Sequence, residues 1–153
     1  MTSRPPLVYI DANILIYLIE GYDEKQTSLL QLASLLDAGR LLPVTSELTV
    51  AETLVKPFAS PDGTYRQEYN QLFSARSSLR LVPVTRRVLE HCARLRATIG
   101  GKLADSIHVA TADLEKCSHF LSEDDRIKLP APIRPAKLSD MAALAALTEL
   151  DPA

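Results

Sequence analysis

Short apolar runs alternate along this chain with longer stretches whose apolar residues recur every three or four positions. That alternation is the signature of an α/β domain with a mostly parallel sheet. Leu7–Ile10 reads as a first strand ending at Asp11, followed by a helix over 13–19 with Gly21 as its stop. A second helix is predicted over 24–37 and closed by Gly39, since glycine readily takes the left-handed turn past a helix end. Residues 41–45 form the second predicted strand, and Ser46 is placed to cap a helix over 47–56. Residues 57–63 read as a loop, 65–77 as a helix and 79–84 as the third strand. Thr85 would cap a helix over 86–99, which Gly100 and Gly101 terminate. An alanine-rich helix over 102–117, a fourth strand over 119–122, a short fifth over 134–138 and a tail helix over 141–150 complete the pattern.

The 153 residues suit one domain spanning 1–153. A composition of 46% hydrophobic and 24% charged residues points to a soluble globular chain rather than a disordered one. No uncharged stretch approaches the roughly 18 residues of a membrane span, and the first six residues lack the apolar core of a secretory signal. The expectation is therefore a cytoplasmic protein without a membrane partner. Cys92 and Cys117, with His91 and His119 nearby, lack the closely spaced ligand pairs of a structural zinc site and read as packed thiols and ordinary histidines. The net charge of −2, without a lysine or arginine block, argues against nucleic-acid binding driven mainly by counterion release. A protein of this charge acting on RNA would need local cations or a bound metal at the contact.

Of the nineteen carboxylates, four occupy positions that set them apart. Asp11 stands at the carboxyl end of the first strand, where ligands bind in open α/β sheets, although it would equally serve as a helix cap. Asn13, two residues on, fits a hydrogen bond to a carboxylate or an ordinary first-turn position. Glu52 shares a helical face with Leu48 and Val55, which places a carboxylate on an apolar stripe. Asp105 lies off the stripe of Leu103, Ile107, Ala110 and Leu114 in a helix whose other face is also small and apolar. His108, one turn later, reads as a neighbour of the site or as a structural histidine. Asp124 follows the fourth strand, but Glu123 and Asp125 flank it, and the pattern alone does not choose among them.

Taken in order, these stretches resemble the motifs of the PIN-domain nucleases. Val8-Tyr9-Ile10-Asp11-Ala12-Asn13 resembles the opening strand leading into Asp-x-Asn, and Ser46-Glu47-Leu48-Thr49-Val50-Ala51-Glu52 the second motif. Leu103 to Ala112 is similar to the third, close to Asp-Ala-Ile-His-Leu-Ala-Thr-Ala, and Phe120-Leu121-Ser122-Glu123-Asp124 to Phe-Leu-Thr-x-Asp. That alignment selects Asp124 over Asp125. Ser106 stands where alanine is common, Ser122 where threonine is common, and Asp125 adds a carboxylate.

The resemblance covers nearly the whole chain and is nearest to the VapC-like toxin branch. It implies a three-layer α/β/α fold with a four- or five-stranded parallel sheet, Mg2+ or Mn2+ as cofactor and RNA as substrate. It also implies a small antitoxin partner and a homodimer. In that reading Asp11, Asp105 and Asp124 hold the metal, Glu52 orients or deprotonates the attacking water, and Asn13 and Ser122 support the acids from behind. Hard divalent cations prefer oxygen ligands and can activate water, neutralise phosphate and stabilise the leaving oxygen. Arg87, Arg94, Lys102 and Arg126 are the cations available for flanking phosphates, or else part of a solvated surface. Two other readings stand beside the metal-dependent endoribonuclease. One is a catalytically silent RNA- or protein-binding module on the same scaffold. The other is a phosphatase with an aspartyl nucleophile, for which Asn at position 13 replaces the usual second Asp.

Overall fold

A computed structural model describes residues 4–149. Residues 1–3, part of the stretch read as lacking a signal, and Leu150, the last of the predicted tail helix, lie outside the described residues. The strands are β1 (Leu7–Ile10), β2 (Leu42–Ser46), β3 (Arg80–Val82), β4 (His119–Leu121) and β5 (Arg134–Ala136). The helices are α1 (Ala12–Glu20), α2 (Gln26–Asp37), α3 (Leu48–Ala59), α4 (Arg66–Leu72), α5 (Arg86–Thr98), α6 (Leu103–Leu114) and α7 (Met141–Glu149).

The five strands pair in the order β3-β2-β1-β4-β5, all parallel. Successive residues of a strand point to opposite faces, so each apolar strand feeds two cores. Val8 and Ile10 of β1 and Leu121 of β4 join Ile14, Leu29, Leu32 and Met141 beneath α1, α2 and α7. Tyr9 of β1 and Phe120 of β4 join Val88, Cys92, Ile107 and Ala110 beneath α5 and α6. This is the three-layer α/β/α architecture that the motifs imply. Strand order reverses direction at β1, which is flanked by β2 on one side and β4 on the other, so the crevice for a ligand opens at the carboxyl ends of β1 and β4.

Several local expectations are corrected. The buried stripe of α3 is Thr49, Thr53 and Pro57, whereas Val55 is 68% exposed and Glu52 lies on the open side. The threonines tolerate burial because their hydroxyls find partners: Thr49 Oγ1 meets Thr45 Oγ1 at 2.7 Å, and Thr53 Oγ1 donates to the Thr49 carbonyl at 2.8 Å. The helix also runs through Pro57 to Ala59 instead of stopping at Lys56. In α6, Leu103 is 55% exposed, while the run from Ser106 to Ala112 is buried all round. The helix over 65–77 shortens to Arg66–Leu72, because Ser74 turns its hydroxyl onto the Gln71 carbonyl and Ser77 takes the Leu79 amide. Gly39 does close α2, at φ +68°, with its amide and that of Arg40 on the Leu36 and Leu35 carbonyls.

Candidate active site

The end of β1 delivers Asp11 into the crevice. It is 8% exposed and caps α1, with Oδ1 accepting the Ala12 amide at 2.9 Å. Its other oxygen, Oδ2, accepts the Ser122 hydroxyl at 2.7 Å. The cap, one of the two roles left open for this residue, is thus made by one oxygen of the carboxylate. Ser122, the first residue past β4, accepts the Asp124 amide on the same Oγ at 3.1 Å. The Asp11 amide in turn donates to the Leu121 carbonyl at 3.0 Å, which laces the two strand ends together.

Asp105 enters from the first turn of α6 and is half-buried. Burial pushes its carboxyl above the usual range, and the negative charges of Asp124 and Asp11 push in the same direction. His108 and Lys102 oppose that shift. Asp105, on α6, thus lies within electrostatic reach of both Asp124 and Asp11. Asp124 is engaged on both oxygens by Arg126, from Nε to Oδ1 at 3.0 Å and from Nη2 to Oδ2 at 3.1 Å. Hydrogen bonds from the Arg126 side chain and backbone hold its carboxyl below the usual range. Asp125 turns away to Lys137, and its side chain is 75% exposed against 22% for Asp124. Geometry thus separates two neighbours that the pattern left equivalent.

Glu52 comes from α3. Its Oε1 meets Nε2 of His108 at 2.5 Å. His108 is itself 2% exposed, and its Nδ1 lies 2.5 Å from the hydroxyl of fully buried Tyr9. The sequence leaves His108 open between a neighbour of the site and a structural histidine, and marks Tyr9 only as part of the first strand. Both carried a signal, since a tyrosine inside an apolar strand and a histidine in a helix buried all round each need a polar partner.

Asn13 is exposed and lines an open hollow of about 440 Å³ with Glu123, Asp124, Asp125 and Arg126. Its side chain makes no hydrogen bond to Asp11, whose oxygens are held by Ala12 and Ser122. Lys102 and Arg126 act electrostatically on the acids, whereas Arg87 and Arg94 stand on the exposed face of α5.

The donor set suits a hard divalent cation: carboxylate oxygens only, with repulsion among them that a cation would relieve. Among the described residues, no three such side chains converge as a ready chelate. At Asp124, Arg126 engages both of the oxygens a metal would use.

A sequence model of the PIN domain matches residues 8–131, which include all four acids. The chain belongs to the PIN domain family. PIN domains are generally nucleases, which places this chain among hydrolases of that kind. Similar solved structures are a toxin–antitoxin complex from Klebsiella pneumoniae and VapBC2 from Rickettsia felis bound to a DNA fragment from their promoter. The first is 24% identical with a TM-score of 0.61, and covers 82% of this chain and 94% of its own. The second is 16% identical with a TM-score of 0.62, covering 86% and 98%. FitAcB from Neisseria gonorrhoeae is 17% identical, again with a TM-score of 0.62 and coverages of 86% and 98%. At these identities the likeness establishes the fold. No curated protein matches the chain. Among the described residues of this PIN domain, no helix is long and apolar enough to cross a membrane.

Proposed function

We propose that this PIN domain is a metal-dependent endoribonuclease and the toxin of a toxin–antitoxin pair, acting as one domain over 1–153 in the cytoplasm. The observation that carries the reading is the placing of Asp11 and Asp124 about Ser122 at the strand-order reversal, with Asp105 within electrostatic reach of both and Glu52 tied to the same helix as Asp105. Those three aspartates would hold Mg2+ or Mn2+. When bound, the ion supplies charge to neutralise phosphate and lowers the pKa of water. Ser122 fixes Asp11 in place, and Glu52 orients the attacking water and accepts its proton. Arg126, released from Asp124, and Lys102 are the nearest cations for the scissile and flanking phosphates of RNA. Local cations of this kind answer the overall negative charge.

A small antitoxin is the proposed partner, supported by the toxin–antitoxin complexes that share the fold. Val55 and Phe58, exposed one and two turns beyond Glu52 on α3, offer apolar surface beside the site for such a chain. A homodimer belongs to the same proposal.

The test is cleavage of single-stranded RNA by purified protein with Mn2+ or Mg2+, compared with a chelator. Asp11→Asn and Asp105→Asn should each lower the rate by about 100-fold or more, in the range attributed to lost electrostatic stabilisation. Undiminished cleavage in either folded variant would refute the assignment.

A further inference from the structure

We propose that Tyr9 and His108 are positioning residues, forming a directed hydrogen-bond relay that presents one oxygen of Glu52 to the acid centre. The relay rests on the reading of Glu52 given above.

Its order follows from the atoms present. The Ser46 amide donates to Tyr9 Oη at 2.9 Å. Tyr9 carries one proton, and His108 Nδ1 lies 2.5 Å from its oxygen. On the far side of the ring, His108 Nε2 faces a carboxylate oxygen of Glu52, which only accepts. A neutral imidazole with its proton on Nε2, accepting from Tyr9 and donating to Glu52, satisfies both contacts and is the arrangement proposed for the relay. Stacking on Phe120, with ring centroids 4.8 Å apart and planes 17° apart, fixes the Tyr9 ring.

The placement links this relay to the acids. Strand β1 carries Tyr9 two residues before Asp11, and helix α6 carries Asp105 and His108 at the i, i+3 spacing that shares a face. Each of these two elements thus contributes one acid to the centre and one member of the chain that grips Glu52. A glutamate on the open side of a helix would otherwise distribute among rotamers. Held through Oε1, Glu52 has Oε2 left to face water.

The experiment uses the full chain in three variants. Tyr9→Phe removes the hydroxyl, and with it both the proton given to Nδ1 and the acceptor of the Ser46 amide. His108→Gln keeps an N–H near the position of Nε2, and His108→Asn does not reach. Long-range 15N NMR on the metal-free wild type should show His108 protonated on Nε2 alone, and Tyr9→Phe should shift the Nδ1 resonance. With Mn2+ and single-stranded RNA, His108→Asn and Tyr9→Phe should lose kcat by about 10- to 100-fold, the scale of misplaced catalytic groups. KM and the Mn2+ dissociation constant should change by less than about threefold, and His108→Gln should recover most of kcat. A wild-type His108 protonated on Nδ1 or on both nitrogens would overturn the relay. So would glutamine and asparagine variants that are equally impaired. A wild type that cleaves no RNA would defeat the ribonuclease reading, and the NMR result would still decide the relay.

Discussion

Ser122 and Asp11, 111 positions apart in the chain, meet across the carboxyl ends of β4 and β1, where the hydroxyl donates to the carboxylate at 2.7 Å. The same hydroxyl accepts the Asp124 amide, so one small side chain sets the spacing of two candidate metal ligands. Ser122→Ala removes a donor from a carboxylate that is only 8% exposed. The expected loss is about 1–2 kcal/mol in urea unfolding, with several-fold weaker Mn2+ binding by calorimetry. Ser122→Thr keeps the hydroxyl and should restore both. An alanine variant indistinguishable from wild type would remove Ser122 from the site.

Asp105 should work against the metal-free fold at neutral pH. Burial and the charges of Asp124 and Asp11 hold its folded pKa above the unfolded value, so the ionised form is disfavoured in the native state. As pH falls through the folded value the carboxyl takes up its proton, and below the unfolded value of about 3.9 the penalty is gone. Asp105→Asn should therefore melt at a higher temperature than wild type at pH 7 without metal, with the difference closing towards pH 3.5. Adding Mn2+ should raise the melting temperature of wild type far more than that of the variant. A variant less stable than wild type at pH 7 would contradict this account.

Arg126 and a metal compete for the same two oxygens of Asp124. Arg126→Ala should tighten Mn2+ binding several-fold, read by titration without substrate. Its side chain is 78% exposed, so stability should stay close to that of wild type. RNA cleavage should fall despite the tighter metal, because a cation for the phosphate is lost. Weaker Mn2+ binding in the variant would show that Arg126 assists the metal instead.

Tyr69, fully buried in α4, donates its hydroxyl to Glu20 Oε2 at 2.6 Å, and Lys56 of α3 holds Glu20 Oε1 at 3.0 Å. One carboxylate thus ties α1, α3 and α4 at a distance from the acids. Tyr69→Phe should cost about 1–2 kcal/mol in chemical denaturation, since a nearly buried carboxylate loses a donor. Metal affinity should stay within about twofold of wild type, which distinguishes this structural tie from the site itself.

Secondary structure was legible where it depends on local periodicity and end signals. β1 falls at its predicted bounds and Thr85 caps α5 by accepting the Val88 amide at 3.3 Å, whereas α3 starts at Leu48 with Glu47 in the cap position and Ser46 taking the Leu48 amide at 3.0 Å from one residue further back. Burial was less legible. The pattern put Leu48, Glu52 and Val55 on the core side of α3, because it weighs a threonine as polar. Thr49 and Thr53 are nevertheless buried, with hydroxyls satisfied inside the fold. Leu103, expected in the core, lies at the first turn of α6, where little packs over it.

The order of strands and helices and the candidate acids belong to the sequence, since periodicity, caps and motif spacing are properties of neighbouring residues. Tertiary structure alone decided which carboxylates share a field, that Asp125 leaves for Lys137 while Asp124 stays, and that His108 and Tyr9 stand behind Glu52. Electrostatic fields and hydrogen bonds fall off with distance in space, and folding sets that distance between residues as far apart as 9 and 108.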